Sequence, residues 1–293
     1  MTEPNYLYPD AIVSSAWLAD HLDDPDLRIF ECTMYLQYDP TGEKPVTSRN
    51  ARAEFDAGHI PGAGYFDLQA DLSDNGSGFR FTMPDPDVLA GVLGARGIGD
   101  ETRVVLYSRD TLQWSTRVWW MLRAIGFDNA AVLDGGWNTW SAEGRPQSTE
   151  AAAYAPATLT IAPRPDLFVG KDGVSAAIGD AAVCTLNALT ADIHRGEDSR
   201  YGRPGRIPGS VNVPAISLQD LATLKIRPAA DVAADFSAVG ADPSKRMIVY
   251  CGGGIAASLD AFLLHQLGYG DIAVYDHSMT EWANDHDLPM ETD

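Results

Sequence analysis

Hydrophobic and polar residues alternate in blocks along this chain. Short, almost wholly apolar runs stand at residues 27–32, 103–107 and 130–133, and runs of the same kind recur at 181–186, 246–250 and 272–275. Runs this short, without polar alternation, predict strands covered on both faces, as in a parallel sheet. Between them lie longer stretches with helical spacing. Residues 115–125 place Val118, Trp119, Met121, Leu122 and Ile125 on one broad apolar face and stop at Gly126, and residues 255–267 match them and stop at Gly268. Short apolar strands separated by helices predict an α/β chain, each sheet mainly parallel with helices on both faces.

The blocks recur because the chain is written twice. GHIPGA at 58–63 returns as GRIPGS at 205–210, and VVLYS at 104–108 as MIVYC at 247–251. LRAIGF at 122–127 returns as LHQLGY at 264–269, and AVLD at 131–134 with Trp140 as AVYD at 273–276 with Trp282. Kept order and spacing predict duplication of a whole domain. The Ile-Pro-Gly segments predict turns into short strands at 64–66 and 211–213. The expected division is a first unit over 1–145, a linker over 146–165, and a second unit over 166–293. Pro146, Pro156, Pro163 and Pro165 make that linker stiff.

Composition narrows the function. At 293 residues, 45% hydrophobic and 21% charged, the chain has material for two folded cores. A net charge of −20 argues against nucleic acid and anionic membranes as partners. An anionic substrate would need a local basic pocket. No stretch approaches the roughly 20 apolar residues that span a bilayer, and the first residues lack a signal pattern, so a cytoplasmic protein is expected. The three cysteines, Cys32, Cys184 and Cys251, are odd in number and far apart. They support neither a disulfide framework nor a zinc site.

Cys251 carries the strongest chemical signal. A buried strand delivers it into a loop of Gly252, Gly253 and Gly254, followed by Ile255, Ala256 and a helix. Glycines leave backbone N–H groups free to turn toward a sulfur, and the helix start adds positive potential; a reactive thiolate needs both. Cys32 and Cys184 lie in apolar strands and read as core residues. The tryptophans Trp114, Trp119, Trp120, Trp137 and Trp140 read mostly as core and interdomain packing.

The HIPGA and RIPGS pair, the LDGGWNTW run at 133–140 and the six-residue loop opening at Cys251 together resemble the tandem rhodanese-like sulfurtransferases, the thiosulfate and 3-mercaptopyruvate enzymes. The resemblance covers nearly the whole chain and implies two rhodanese-like domains, the first inactive with Ser108 in the cysteine position. It implies a Cys251 persulfide, loaded by a small anionic donor and unloaded by cyanide, a small thiol or thioredoxin. The backbone of Gly252, Gly253, Gly254, Ile255 and Ala256 would hold the anion, with no metal or organic cofactor. Related phosphatases carry a longer loop ending in arginine, which is absent here.

The loop also departs from the family. Thiosulfate enzymes place basic residues where Gly252 and Gly253 stand. Mercaptopyruvate enzymes place hydroxyl residues where Gly253 and Ala256 stand, although Cys-Gly-x-Gly with an aliphatic next is closer to their pattern. Ser258 and His59 are the remaining candidates for proton relay. Of two donor-binding arginines in the second unit, one position is Leu189 and the other Arg195; Arg200, Arg203 and Arg206 follow closely and could compensate. His277 and Ser278, where the first unit has glycines, are expected at the pocket mouth. The competing reading is a non-catalytic or partner-fed module, a sulfur carrier or redox sensor.

Overall fold

The structure, a computed structural model, describes residues 5–38 and 46–293. The first unit contains β1 (Ile12–Val13), β2 (Leu27–Glu31), a hairpin of β3 (Met34–Tyr38) and β4 (Val46–Asn50), then β5 (Ala63–Tyr65), β6 (Arg103–Tyr107) and β7 (Ala130–Leu133). The second contains β8 (Phe168–Val169), β9 (Val183–Asn187), β10 (Val211–Asn212), β11 (Arg246–Tyr250) and β12 (Ile272–Tyr275). Each unit has one five-stranded sheet, ordered β1-β7-β6-β2-β5 in the first and β8-β12-β11-β9-β10 in the second. All pairs within these two sheets are parallel. The two orders are the same topology, as the duplication requires.

In both sheets the middle strand is the second apolar run of its unit. Val249 on β11 lies opposite Leu186 and Val274, and Val105 on β6 opposite Ile29 and Ala131. These strands are buried almost throughout, which is why they carry no polar alternation. Their C-terminal ends deliver Ser108 and Cys251 to the crevice edge of each sheet.

The helices after the middle strands, Gln113–Ala124 and Ala256–Gln266, pack on each other across the two units. Trp119 meets Phe262 edge to face at 4.7 Å, and the hydroxyls of Thr116 and Ser258 lie 3.0 Å apart. One apolar cluster therefore runs through both units. Ahead of Pro165, which opens a short 3-10 turn, the prolyl linker takes no helix or strand, but it is strapped to the first unit: the N–H groups of Ala152, Ala157 and Ala162 donate to the carbonyls of Ala63, Gly94 and Ile125.

Three features differ from the sequence expectation. The strand expected at 181–186 runs Val183–Asn187, because residues 181 and 182 serve the turn before it. The edge strands β1 and β8 have only two residues each, too few for any periodicity to show. The antiparallel hairpin β3–β4 was not expected and has no counterpart among the described residues of the second unit. Its strands are exposed along one side and share neither the length nor the pattern of the buried runs. Among the described residues, no helix is long and apolar enough to cross a membrane.

Candidate active site

Cys251 follows the last residue of β11, where the C-terminal ends of parallel strands open a crevice. Its thiol is unpaired and the residue only 2% exposed, on the wall of a cavity of about 340 Å³. Three residues of the short helix Ser278–Trp282 pin the loop from below. Ser278 Oγ accepts the N–H groups of Cys251 (3.0 Å) and Gly254 (3.3 Å) and donates to the Tyr275 carbonyl at 2.6 Å. The Met279 N–H donates to the Cys251 carbonyl at 3.0 Å. The Thr280 hydroxyl and N–H both donate to the Gly252 carbonyl, at 2.6 and 2.8 Å. Ser278 holds φ at 50°, a left-handed conformation costing about 1–2 kcal/mol, against which these hydrogen bonds work.

Among the described residues, no protein acceptor meets the N–H groups of Gly252, Gly253, Ile255 or Ala256. The Gly254 N–H, expected to join them, is turned away to Ser278. Each glycine has its own reason. Gly254 has φ of 74°, and a Cβ there would lie 2.6 Å from the Asp276 carbonyl oxygen. A Cβ on Gly252 would collide with the Tyr201 ring. Gly253 faces open space, its nearest neighbour the Thr280 Oγ1 at 3.8 Å from an added Cβ.

The matching place in the first unit is closed by its own side chains. Ser108 is wholly buried and donates to the Thr111 carbonyl at 2.6 Å. Gly136 stands where the second unit has Ser278, and any Cβ there would strike the Ser108 carbonyl. Arg109 is held by the buried Glu31 carboxylate at 2.6 Å and by the Gly58 carbonyl.

The other sequence candidates are not gathered at Cys251. Arg195 pairs with Glu197 at 2.8 Å on the surface, outside the cavity wall. Arg203 spends its guanidinium on the carbonyls of Trp282, Ala283, Asp285 and Leu288. Arg206 binds Glu291, Asp293 and the His194 carbonyl. The C-terminal segment folds back over these arginines and uses them structurally. His59 is buried against Phe55, stacked at 3.9 Å with Nδ1 2.7 Å from the Phe55 carbonyl, and does not reach the cavity. Ser258 is wholly buried and donates to the Ile255 and Gln113 carbonyls at the helix interface. Ser278 lies beneath the loop rather than at the mouth; His277 does line the cavity, stacked on Phe79.

Arg80, Arg200, Tyr201 and Thr280 stand in the wall instead, with Leu189 and Trp114. Arg200 is engaged by Asp198 at 2.9 Å and lies over the Tyr38 ring. The hairpin brings Tyr35, Leu36 and Tyr38, so the first unit supplies part of the wall around the second unit's thiol. One signal for the Ser278 brace was present in the sequence: the repeat changes from Gly135-Gly136 to His277-Ser278 at that point. Burial pushes the thiols of Cys32 and Cys184 up, which fits inert core positions.

Comparison with known proteins identifies the family and the fold. The rhodanese-like domain family matches residues 14–143 and 187–285. The 3-mercaptopyruvate sulfurtransferase of Escherichia coli (strain K12) is 31% identical over 282 residues, covering 95% of this chain and 97% of its own. The thiosulfate sulfurtransferase of Bos taurus is 30% identical, with 96% and 94% covered. The crystal structure of SseA, the Escherichia coli 3-mercaptopyruvate enzyme, superposes with a TM-score of 0.79 at 29% identity, covering 92% of this chain and 98% of that one. The chain belongs to the rhodanese family, as a sulfurtransferase with two tandem rhodanese-like domains. Its similarity to relatives named for the two donors is nearly equal, so overall identity does not choose between them.

Proposed function

We propose that this protein moves a sulfane sulfur from a small anionic donor, 3-mercaptopyruvate or thiosulfate, through a persulfide on Cys251 to a thiophilic acceptor such as cyanide, a small thiol or thioredoxin. In this reading the unit over 166–293 is catalytic, and the unit over 1–145, with Ser108 in the cysteine position, is not. The observation that carries it is one thiol at the end of a middle strand, on the wall of a cavity, beside four backbone N–H groups with no protein acceptor among the described residues. Such donors stabilise a sulfur anion without needing to reorganise.

The chemistry balances without a cofactor. With thiosulfate, the Cys251 thiolate attacks the outer sulfur, an S–S bond forms, and sulfite leaves with the electron pair of the broken S–S bond. With 3-mercaptopyruvate, the thiolate attacks the thiol sulfur, the C–S bond breaks, and the enolate of pyruvate leaves. The proton carried by the donor sulfur ends on that enolate. Attack by the acceptor on the outer sulfur then returns the Cys251 thiolate. The Cys-Gly-x-Gly-aliphatic loop favours the mercaptopyruvate side, and the Thr280 hydroxyl near Gly253 supplies a polar group where the loop itself has none.

Intact-protein mass after incubation with each donor tests the reading. One added sulfur (about 32 Da), removed by thiol and absent in Cys251→Ser, is the expected result. No added mass from either donor, with Cys251 still reactive to alkylation, favours the partner-fed carrier instead.

A further inference from the structure

The cavity beside Cys251 is lined by three arginines, and their partners differ. Arg109 is neutralised by buried Glu31, and Arg200 by Asp198. Arg80 has no ion pair among the described residues; its one hydrogen bond goes to the Val46 carbonyl. A guanidinium carries five N–H donors, so most of those on Arg80 meet no acceptor among the described residues. The aromatic residues Tyr38, Phe79 and Phe81 line the same cavity, and partial burial disfavours the Arg80 charge. A cation in that state gains most from an anion brought to it.

The backbone also points to placement of this residue rather than accident. Phe81, next in sequence, is held at φ 59°, a strained conformation for a residue with a side chain. Its N–H donates to Gln69 Oε1, its carbonyl accepts from Arg117, and its ring meets Trp114 edge-on. A residue with nearly the same φ stands in the second unit, Leu224 at 57°, and there the preceding residue is Thr223. The turn therefore does not demand arginine. Tyr201 stands with Arg80 in the wall of this cavity, and its ring lies against Gly252, next to the thiol.

We infer that Arg80, a residue of the first unit, binds the carboxylate or thiosulfonate end of the sulfur donor at the Cys251 cavity, in place of the second-unit arginines that lie elsewhere. This rests on the sulfur-transfer reading for the identity of the anion. It makes Arg80 a binding residue: donor affinity should depend on it, while the rate from the bound complex should change little.

The test uses the full chain carrying Cys251→Ser, which cannot be consumed, titrated calorimetrically with thiosulfate and with pyruvate. Arg80→Gln in that background should weaken binding at least about tenfold, the scale of one charge-assisted hydrogen bond. Arg80→Lys should restore part of it, and Arg195→Gln should leave it unchanged. With Cys251 present, Arg80→Gln should raise KM for the donor with kcat near the parent value. Equal affinity in Arg80→Gln and its parent, or no binding of either anion to the Cys251→Ser protein, would overturn the inference. Failure of the unsubstituted protein to take up sulfur would sink the sulfur-transfer reading alone, since anion binding is measured without turnover.

Discussion

At the scale of single residues, the three loop glycines are not equivalent. Gly254 is fixed by a positive φ and by the Asp276 carbonyl, whereas Gly253 faces open space. Gly254→Ala should therefore cost about 2 kcal/mol and slow persulfide loading, while Gly253→Ser should change stability by less than about 0.5 kcal/mol. Urea denaturation separates the two, and equal losses would mean that the loop is not held as described. Asp260 shows the same logic for charge. It is wholly buried in the helix Ala256–Gln266, neither carboxylate oxygen has a hydrogen-bond partner among the described residues, and burial pushes its pKa well up. The unfolded chain releases this proton near pH 4, whereas the folded chain keeps it. Stability should therefore fall as pH rises above about 4, until the folded group ionises in turn. Asp260→Asn removes the titration, so its melting temperature should gain on the parent between pH 5 and pH 8. A difference that stays constant with pH would show that Asp260 is not held neutral.

At the scale of elements, the middle strands and their following helices were legible because burial on both faces leaves a plain apolar run. Residues 103–107, 130–133, 246–250 and 272–275 coincide with β6, β7, β11 and β12. The hairpin β3–β4 was not legible, since β4 reads Val-Thr-Ser-Arg-Asn, a polar segment like many loops. The partners of the arginines were not legible either. Arg203 and Arg206 bind groups in the last dozen or so residues, and no local pattern announces that return of the chain. Ser258 illustrates the limit: its spacing from Cys251 suggested proximity to the thiol, but helical rotation turns it toward Thr116. Ser258→Ala should accordingly cost about 1 kcal/mol of stability and leave the persulfide loading rate unchanged. Thr116→Ala added to it should cost less than it does alone, because the pair shares one hydrogen bond. A large loss of loading rate in folded Ser258→Ala would return the hydroxyl to the chemistry.

At the scale of the whole molecule, the two units are tied by exchanged contacts around the duplication. Asp276 accepts the Met83 N–H at 2.7 Å from the first unit, and Asp134 accepts the Ile226 N–H at 2.8 Å from the second. The symmetry breaks again within the helices that follow the middle strands. Nine residues after Ser108 stands Arg117, and nine after Cys251 stands Asp260. Arg117 is wholly buried, pairs with Asp276 at 2.6 Å, donates to the Phe81 carbonyl at 2.7 Å and reaches the Gly254 carbonyl at 3.4 Å. A residue of the first unit thus braces both the loop that carries the thiol and the turn that carries Arg80. Arg117→Met would leave Asp276 without its cation in a nearly dry place, at a cost of about 3–5 kcal/mol. Adding Asp276→Asn should recover part of that stability, because the uncompensated charge is gone, but not the loading rate, because Gly254 still lacks its brace. Denaturation midpoints and persulfide loading on the parent, the single and the double variant distinguish the two effects. A single variant as stable as the parent, or a double variant that loads sulfur at the parent rate, would mean that the first unit does not hold the Cys251 loop through Arg117.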